Sequence, residues 1–439
     1  MKILILMLII LLAIIFDTSL IKTYDLVSKK ESLSWKVPIF GLIVIICTGC
    51  QFYTLNYLKQ NRASMTATPK KLAIDLIQKV VTVSQYTIIL LLAILLFEIF
   101  VKSYYDIYLL IAITSISYLL AISMMIFLAQ RFFSWYILNK NPVIVLYGLS
   151  ASILAINLIF TLLLAISVFI AYPEEILPRF SGTGPILNSY WSKNLNYGYF
   201  LTSIVSFLIM WTATSILLRH YSYTMGKAKY WAVLALPLAY FLSQFLTLFF
   251  NALGPFIQAD PTLFNIIVTL FFTLSKPIGG ILFGIAFWLM SRGISRKNGA
   301  RNYLIISACG LVILFASNQA VVLLIAPYPP FGLATVSFVG MSSYLVMVGV
   351  YYSAVSVSLD IGLRKSIHQS VQEHSRFLHG IGRAQLDKSL QEVVRKLTKD
   401  YKEKMVEEVG IEPSITEYEM KKYVNDVLQE IKAGKNKSS

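Results

Sequence analysis

Long apolar runs with few charges recur from the start of the chain to about residue 360, separated by short charged segments. Each run is close to the roughly 20 residues that an α-helix needs to cross a hydrocarbon core of about 30 Å. None alternates apolar and polar residues as barrel strands do, so the pattern predicts helices. We place about ten spans, at residues 3–21, 38–58, 81–101, 107–129, 143–172, 199–218, 230–251, 263–290, 303–326 and 333–358.

Composition supports a membrane protein. Of the 439 residues, 57% are hydrophobic and 14% are charged, whereas a soluble domain carries about 25% charged residues. The predicted fold is therefore all-α, with a polytopic transmembrane helical bundle over residues 1–359 and a cytoplasmic helical hairpin tail over residues 360–439. The bundle's first partner is the lipid bilayer.

The positive charges predict how the bundle is oriented. Four loops on one side of the spans carry 14 Lys and Arg, against seven on the other side. Short loops rich in Lys and Arg stay in the cytoplasm, so both termini are expected there, in a multi-pass protein of the cell membrane. The excess sets topology, and we predict no nucleic-acid binding. The fourteen residues are Lys59, Arg62, Lys70, Lys71, Lys79, Arg131, Lys140, Arg219, Lys227, Lys229, Arg292, Arg296, Lys297 and Arg301.

The first span has two interpretations. Met1, Lys2 and the run ILILMLIILLAIIF also resemble the start of a secretory signal peptide. The chain continues as DTSLIKTYDL, without a small-x-small cleavage site, and we therefore expect an uncleaved first helix. Against that expectation stand four lysines around the first outer loop: Lys22, Lys29, Lys30 and Lys36.

Lys276 is the most informative single residue, because it lies near the centre of the eighth predicted span, in FFTLSKPIGGILFG. A charge at that depth costs about 2.5–3.5 kcal/mol and normally faces a partner or a cavity. Pro277 removes a helix hydrogen bond, and interrupted helices often line binding sites in transporters. We predict a polar ligand or ion site of Lys276, Gln244, Asn318 and Gln319.

A structural explanation of the same segment stays open. The lysine could snorkel towards the interface, and the glycines after it could serve close helix packing without any ligand. Asp17 and Glu98 are the candidate counter-charges, although Glu98 could instead pair with Lys102, four residues along the same helix.

The tail has the pattern of an amphipathic helical hairpin. No proline separates it from the last span, so that span is expected to continue out of the bilayer as a helix, and a break is expected at Gly380 and Gly382. Apolar residues then recur at steps of three and four, which is typical of a helix that pairs with a second one. The residues expected to mediate tail interactions, within a homo-oligomer or with a cytosolic protein, are Leu390, Leu397, Val424 and Ile431.

The chemistry-bearing residues form no complete catalytic constellation. Cys47 and Cys50 make a C-x-x-C inside an apolar run, where buried small residues are the better interpretation. The tail histidines do not share one helix face, so no metal site is predicted. Nucleotide-binding and zinc-protease motifs are missing from the sequence, and we predict neither a cofactor nor an enzymatic activity.

The tail segment FLHGIGRAQLDKSLQEVVRKL, the later EEVGIEPS and the overall layout resemble a group of uncharacterised archaeal multi-pass membrane proteins. That resemblance implies the fold but transfers no activity and no site residue. Two functions follow from the residues themselves. We favour a membrane sensor or signalling and assembly scaffold that acts through the tail. The alternative is a secondary transporter with its site around a helix broken at Lys276–Pro277.

Overall fold

The computed structural model describes residues 2–20, 33–63, 71–102, 104–171, 190–243, 274–294, 299–318, 329–360, 362–364 and 373–409. Every regular element in those ranges is an α-helix, as the apolar runs predict. The helices are α1 (Lys2–Leu20), α2 (Leu33–Ala63), α3 (Lys71–Lys102), α4 (Ile107–Leu138), α5 (Pro142–Ala171), α6 (Tyr190–Leu218), α7 (Tyr221–Met225), α8 (Lys227–Ser243), α9 (Ser275–Arg292), α10 (Gly299–Ser317), α11 (Leu333–Val336), α12 (Phe338–Leu359) and α13 (Glu373–Val409).

Within the ranges given above, seven helices are long and apolar enough to cross a membrane. Several of them are longer than predicted, because an α-helix can continue beyond the hydrocarbon core. α3 begins at Lys71, and α4 ends at Leu138. The seven segments are Trp35–Gln60, Asp75–Lys102, Ile107–Leu138, Pro142–Ser167, Asn194–Leu218, Gly299–Ser317 and Leu333–Leu359.

The outermost helices turn apolar side chains away from the bundle. On α3 one face is buried at steps of three and four residues, through Val81, Gln85, Ile88, Leu92, Leu95 and Ile99. Its other face exposes Leu90 and Phe97, at 60% and 63%. Water-soluble proteins rarely expose a continuous apolar face, whereas a bilayer covers one. The protein is therefore a membrane-embedded helical bundle.

The centre of the bundle is formed by α11 and α12, whose residues are buried all the way from Leu333 to Ser358. Small residues let the neighbouring backbones approach. A Cβ on Gly349 would lie 2.7 Å from the carbonyl oxygen of Tyr303 in α10, and one on Gly340 would lie 2.9 Å from that of Ser117 in α4. Helix association in a membrane depends on such close packing, because apolar side chains are solvated by lipid as well as by another helix and the hydrophobic effect does not drive them together.

α1 is part of the packed bundle and contacts α2, α10 and α11. Its Asp17 is fully buried. The carboxylate accepts hydrogen bonds from the backbone N–H of Gly332 at 2.9 Å, and from the backbone N–H and the hydroxyl of Thr335 at 3.0 and 2.7 Å. Burying a carboxylate is costly unless it is hydrogen-bonded. These three bonds meet that condition, and they fix the start of α11 against α1.

Two predictions about the tail are wrong. The last span does not continue as one helix, since α12 ends at Leu359 and Asp360 is extended, with φ −94° and ψ 104°. The Asp360 side chain accepts from the Leu363 N–H at 2.9 Å, which starts a turn there. No break occurs at Gly380 and Gly382, because α13 runs through both. The second helix of the predicted hairpin lies outside the described residues.

Candidate functional site

Lys276 lies in the first turn of α9, directly before Pro277. Proline is tolerated there because the first N–H groups of a helix have no intrahelical acceptor. Lys276 Nζ donates to the hydroxyl of Tyr199 at 2.6 Å and to the backbone carbonyl of Asn318 at 3.1 Å. It also lies 4.8 Å from the centroid of the Tyr199 ring, a cation–π contact. The ammonium is thus half-buried and held by neutral groups.

Asparagine and tyrosine side chains extend this site into the bundle. Asn318 Nδ2 donates to Asn157 Oδ1 at 3.2 Å, and the Tyr118 hydroxyl donates to Asn318 Oδ1 at 3.4 Å. Asn157 Nδ2 in turn donates to the backbone carbonyl of Tyr199 at 3.0 Å. We call Lys276, Tyr199, Asn318, Asn157 and Tyr118 the polar network. It joins α4, α5, α6, α9 and the end of α10, so a change in any of these helices changes its geometry.

The glycines after Lys276 let α9 pack closely against its neighbours. A Cβ on Gly280 would lie 2.7 Å from the Cβ of Phe315, and one on Gly284 would lie 2.9 Å from the backbone oxygen of Ala308, both in α10. The packing explanation of these glycines is therefore confirmed. It leaves the lysine unexplained, because close packing alone requires no charge.

Neither candidate counter-charge reaches Lys276. Glu98 forms an ion pair with Lys102 at 3.0 Å, as the four-residue spacing predicts, and it also accepts from the Asp106 N–H at 3.0 Å. Asp17 is hydrogen-bonded to the start of α11. In the part of the chain that the structure describes, no carboxylate lies within ion-pair distance of Lys276.

Of the residues predicted for this site, Lys276 and Asn318 are brought together, while Gln244 and Gln319 lie outside the described residues. The sequence analysis missed Tyr199, Asn157 and Tyr118. Asn157 carried a signal, since it is a lone amide in the apolar run ASILAINLIF. The tyrosines did not, because tyrosine is common in membrane spans. Cys47 and Cys50 are free and buried, as predicted for small apolar residues, and Cys309 is free and buried as well.

A second contact region lies where α13 packs against the bundle. Phe377, Leu378 and Ile381 of α13 are buried there. The ring of Phe377 lies 5.5 Å from that of Tyr147 in α5 and 6.4 Å from that of Phe287 in α9. This packing buries an aromatic side chain of the tail against α5 and α9, which is the arrangement typical of an energetically important contact.

Polar contacts fix the register of α13 against α4. The Trp135 indole N–H donates to Gln385 Oε1 at 3.0 Å, and Lys388 Nζ donates to the Ser134 hydroxyl at 2.7 Å. Gly380 sits directly against Asn139, where a Cβ would lie 2.8 Å from the Asn139 side-chain nitrogen. The glycine that was expected to break the helix thus allows it to dock. We call residues 377–388 of α13 the docked segment.

Beyond the docked segment the apolar side chains of α13 turn outward. Leu390 is 39% exposed and Val393 is 46% exposed. Of the other predicted tail-interaction residues, Leu397 lies on α13 but its side chain is not among those described, and Val424 and Ile431 lie outside the described residues.

Three helices carry both regions. α5 holds Asn157 and Tyr147, ten residues or about 15 Å apart, and α9 holds Lys276 and Phe287, about 16 Å apart. α4 likewise holds Tyr118 and, nearer its C-terminal end, Trp135. A rigid helix transmits displacement along its axis, so these helices connect the polar network to the docked segment directly. The network itself contains ammonium, amide and hydroxyl groups, which can bind a ligand through hydrogen bonds and charge.

No protein-family model, curated protein or solved structure matches this chain.

Proposed function

We propose that this protein is a membrane sensor or signalling and assembly scaffold that acts through its C-terminal tail. The observation that carries this proposal is the docked segment, whose Phe377 contacts α5 and α9, the helices that also hold Asn157 and Lys276. A signal at the polar network would move these helices, and the docked segment would be released or held accordingly.

The proposed topology has about ten spans in the cell membrane. Both termini and the tail lie in the cytoplasm. Ten spans are obtained when α1, α8 and α9, of 19, 17 and 18 residues, are added to the seven segments given above. The orientation is supported by the position of the docked segment. It contacts the C-terminal end of α4 and the N-terminal part of α5, beside the loop that carries Lys140. That end of the bundle is the one the positive charges assign to the cytoplasm.

The tail's output is proposed to be contact with another copy of the chain or with a cytosolic protein. Leu390 and Val393 point away from the bundle and continue the helix beyond the docked segment. An exposed apolar stripe on a charged helix favours pairing with a second helix. The same surface would extend to Leu397, and through the predicted second helix to Val424 and Ile431.

Labelling of single cysteines tests the docking, in a variant without the native cysteines. Ala384 is fully buried, whereas its neighbour Arg383 is exposed. We expect Arg383→Cys to react with a maleimide at least about tenfold faster than Ala384→Cys in membrane vesicles, because the buried thiol reacts only when the segment opens. Equal rates would show that the tail does not dock, and would remove the basis of the sensor proposal.

The alternative is a secondary transporter whose substrate or ion site surrounds Lys276 and Pro277. The half-buried ammonium at the start of α9 favours it, because helix starts at membrane depth often hold substrates in transporters. Uptake in reconstituted vesicles separates the two functions. Concentrative uptake that is lost in Lys276→Met but unchanged when residues 373–439 are deleted would favour the transporter and contradict the tail-based sensor.

A further inference from the structure

The polar network has hydrogen-bond donors without acceptors at one point. A lysine ammonium has three N–H donors, and Lys276 uses one on the Tyr199 hydroxyl and one on the Asn318 carbonyl. The third N–H therefore has no acceptor among the residues that the structure describes. The Tyr199 hydroxyl accepts from Lys276, and its own hydrogen has no acceptor among the described residues. Two unused donors thus lie on atoms that are 2.6 Å apart.

The charge at this point is positive, and no group among the described residues neutralises it. The contacts of Lys276 are a hydroxyl, a carbonyl and an aromatic ring. Each stabilises an ammonium in part, but none carries a full negative charge. The first turn of α9, where Lys276 lies, adds the positive end of the helix dipole. The surroundings therefore attract a negative group and repel a cation.

The site is also arranged to admit a small group rather than to seal the lysine away. Lys276 is half-buried, while Tyr199 and Asn318 are each 5% exposed. The tyrosine is held in place from behind, because its backbone carbonyl accepts from Asn157 at 3.0 Å. The Tyr199 hydroxyl is thus fixed beside the ammonium, which is itself only half-buried.

We propose that Lys276 Nζ and the Tyr199 hydroxyl form a binding site for an anionic oxygen ligand, a carboxylate or a phosphate. Its oxygens would accept the third N–H of Lys276 and the O–H of Tyr199, and its charge would neutralise the ammonium. The ligand is either a water-soluble anion or the anionic headgroup of a lipid. This proposal deepens the proposed function by naming its stimulus, and it rests on that function only for the effect on the tail.

Thermal unfolding of the full-length protein tests the site in two arms. In detergent, sodium acetate and sodium phosphate are titrated against sodium chloride at equal ionic strength. In nanodiscs, phosphatidylcholine alone is compared with phosphatidylcholine containing phosphatidylglycerol. A ligand that binds only the folded state raises the Tm, and we expect a saturable rise of about 2 °C in at least one arm. The arm that responds identifies the source of the anion.

Matched variants assign the effect to the two donors. Lys276→Met is expected to abolish the rise, Lys276→Arg to keep it, and Tyr199→Phe to reduce it by removing only the hydroxyl. Lys229→Met makes the same change at an exposed lysine and is expected to behave as the wild type. The proposal is overturned if no probe raises the Tm of the wild type, or if Lys276→Met or Tyr199→Phe responds as the wild type does.

A separate measurement tests the effect of the anion on the tail. With the anion that raises the Tm, labelling of Ala384→Cys is measured in the same preparations. A Tm rise that depends on Lys276 without any change in labelling supports the anion site and contradicts the sensor function. A labelling change that persists in Lys276→Met overturns the site and leaves the tail-based function in place.

Discussion

Asp17 and Lys276, two charged side chains of the helical bundle, have opposite environments. Asp17 is fully buried and accepts three hydrogen bonds, all from the segment at the start of α11. Lys276 is half-buried and has two hydrogen bonds, and its third donor has no acceptor in the described part of the chain. A charge whose hydrogen-bonding capacity is met by the protein has a structural role. A charge that retains an unused donor is poised to bind something else. The comparison predicts that removing the first charge destabilises the protein, whereas removing the second does not.

The largest effect on stability is expected for Asp17→Ala. The variant leaves the N–H groups of Gly332 and Thr335 and the Thr335 hydroxyl buried without an acceptor. Each unsatisfied buried donor costs about 1–3 kcal/mol. We therefore expect the free energy of unfolding to fall by at least about 2 kcal/mol. Thermal unfolding in detergent measures it, with Thr18→Ala as the neighbouring control. A Tm equal to that of the wild type would mean that Asp17 does not anchor α11.

A smaller loss is expected for Asn157→Ala, in the middle of the polar network. Asn157 accepts from Asn318 Nδ2, so its removal leaves that buried amide group without this acceptor, whereas the Tyr199 carbonyl keeps the Thr202 hydroxyl as a donor at 3.2 Å. We expect a loss of about 1–2 kcal/mol. If Asn157→Ala is as stable as the wild type, the network does not hold the five helices together.

A still smaller loss is expected for Tyr118→Phe, which removes only the 3.4 Å hydrogen bond to Asn318 and keeps the buried ring. A long neutral hydrogen bond contributes at the low end of the usual range, about 0.5–1 kcal/mol. Tyr147→Phe, at the other end of the shared helices, is the matched control, because its hydroxyl also makes a 3.4 Å bond, to Thr214. Similar Tm shifts in both variants are expected. A large drop in Tm for Tyr118→Phe alone would show that the polar network stabilises the fold more than its long hydrogen bond predicts.

The smallest effect on stability is expected for Lys276→Met. Methionine keeps the length and apolar packing of the side chain, and the desolvation cost of roughly 2.5–3.5 kcal/mol disappears with the charge. Loss of two hydrogen bonds offsets part of that gain. The Tm should therefore stay the same or rise. A marked drop in Tm would show that Lys276 stabilises the fold, as Asp17 is expected to do.

The sequence predicts the helices well, because each apolar run has to be covered and a helix satisfies its own backbone. It also groups Lys276 with Asn318 correctly. It misses Tyr199 and Tyr118, since their roles depend on which helix faces meet, and no local pattern contains that information. The hydrogen bonds from Gly332 and Thr335 to Asp17 are likewise long-range contacts, because these residues are separated from Asp17 by 315 and 318 positions in the sequence.

The tail shows why local rules failed at particular residues. Glycine weakens an isolated helix by about 1 kcal/mol, which is why Gly380 and Gly382 were expected to break it. In the folded protein both face the bundle, and at Gly382 a Cβ would lie 2.8 Å from the Cβ of Val357, which favours a residue without a side chain. Phe377, Leu378 and Ile381 were the signal for docking, an apolar cluster at the start of a charged helix. At Asp360 the extended backbone ends the last span without a proline.

The most direct test of the coupling between the polar network and the tail is the labelling rate of Ala384→Cys with and without the charge at Lys276. The wild-type and Lys276→Met backgrounds are compared in the same vesicles, with Arg383→Cys in each as the accessibility control. A coupling free energy of 1–3 kcal/mol is usual between sites that share a two-state change, so we expect the rate at position 384 to differ by about fivefold or more. Identical rates at position 384 in the two backgrounds would contradict the sensor.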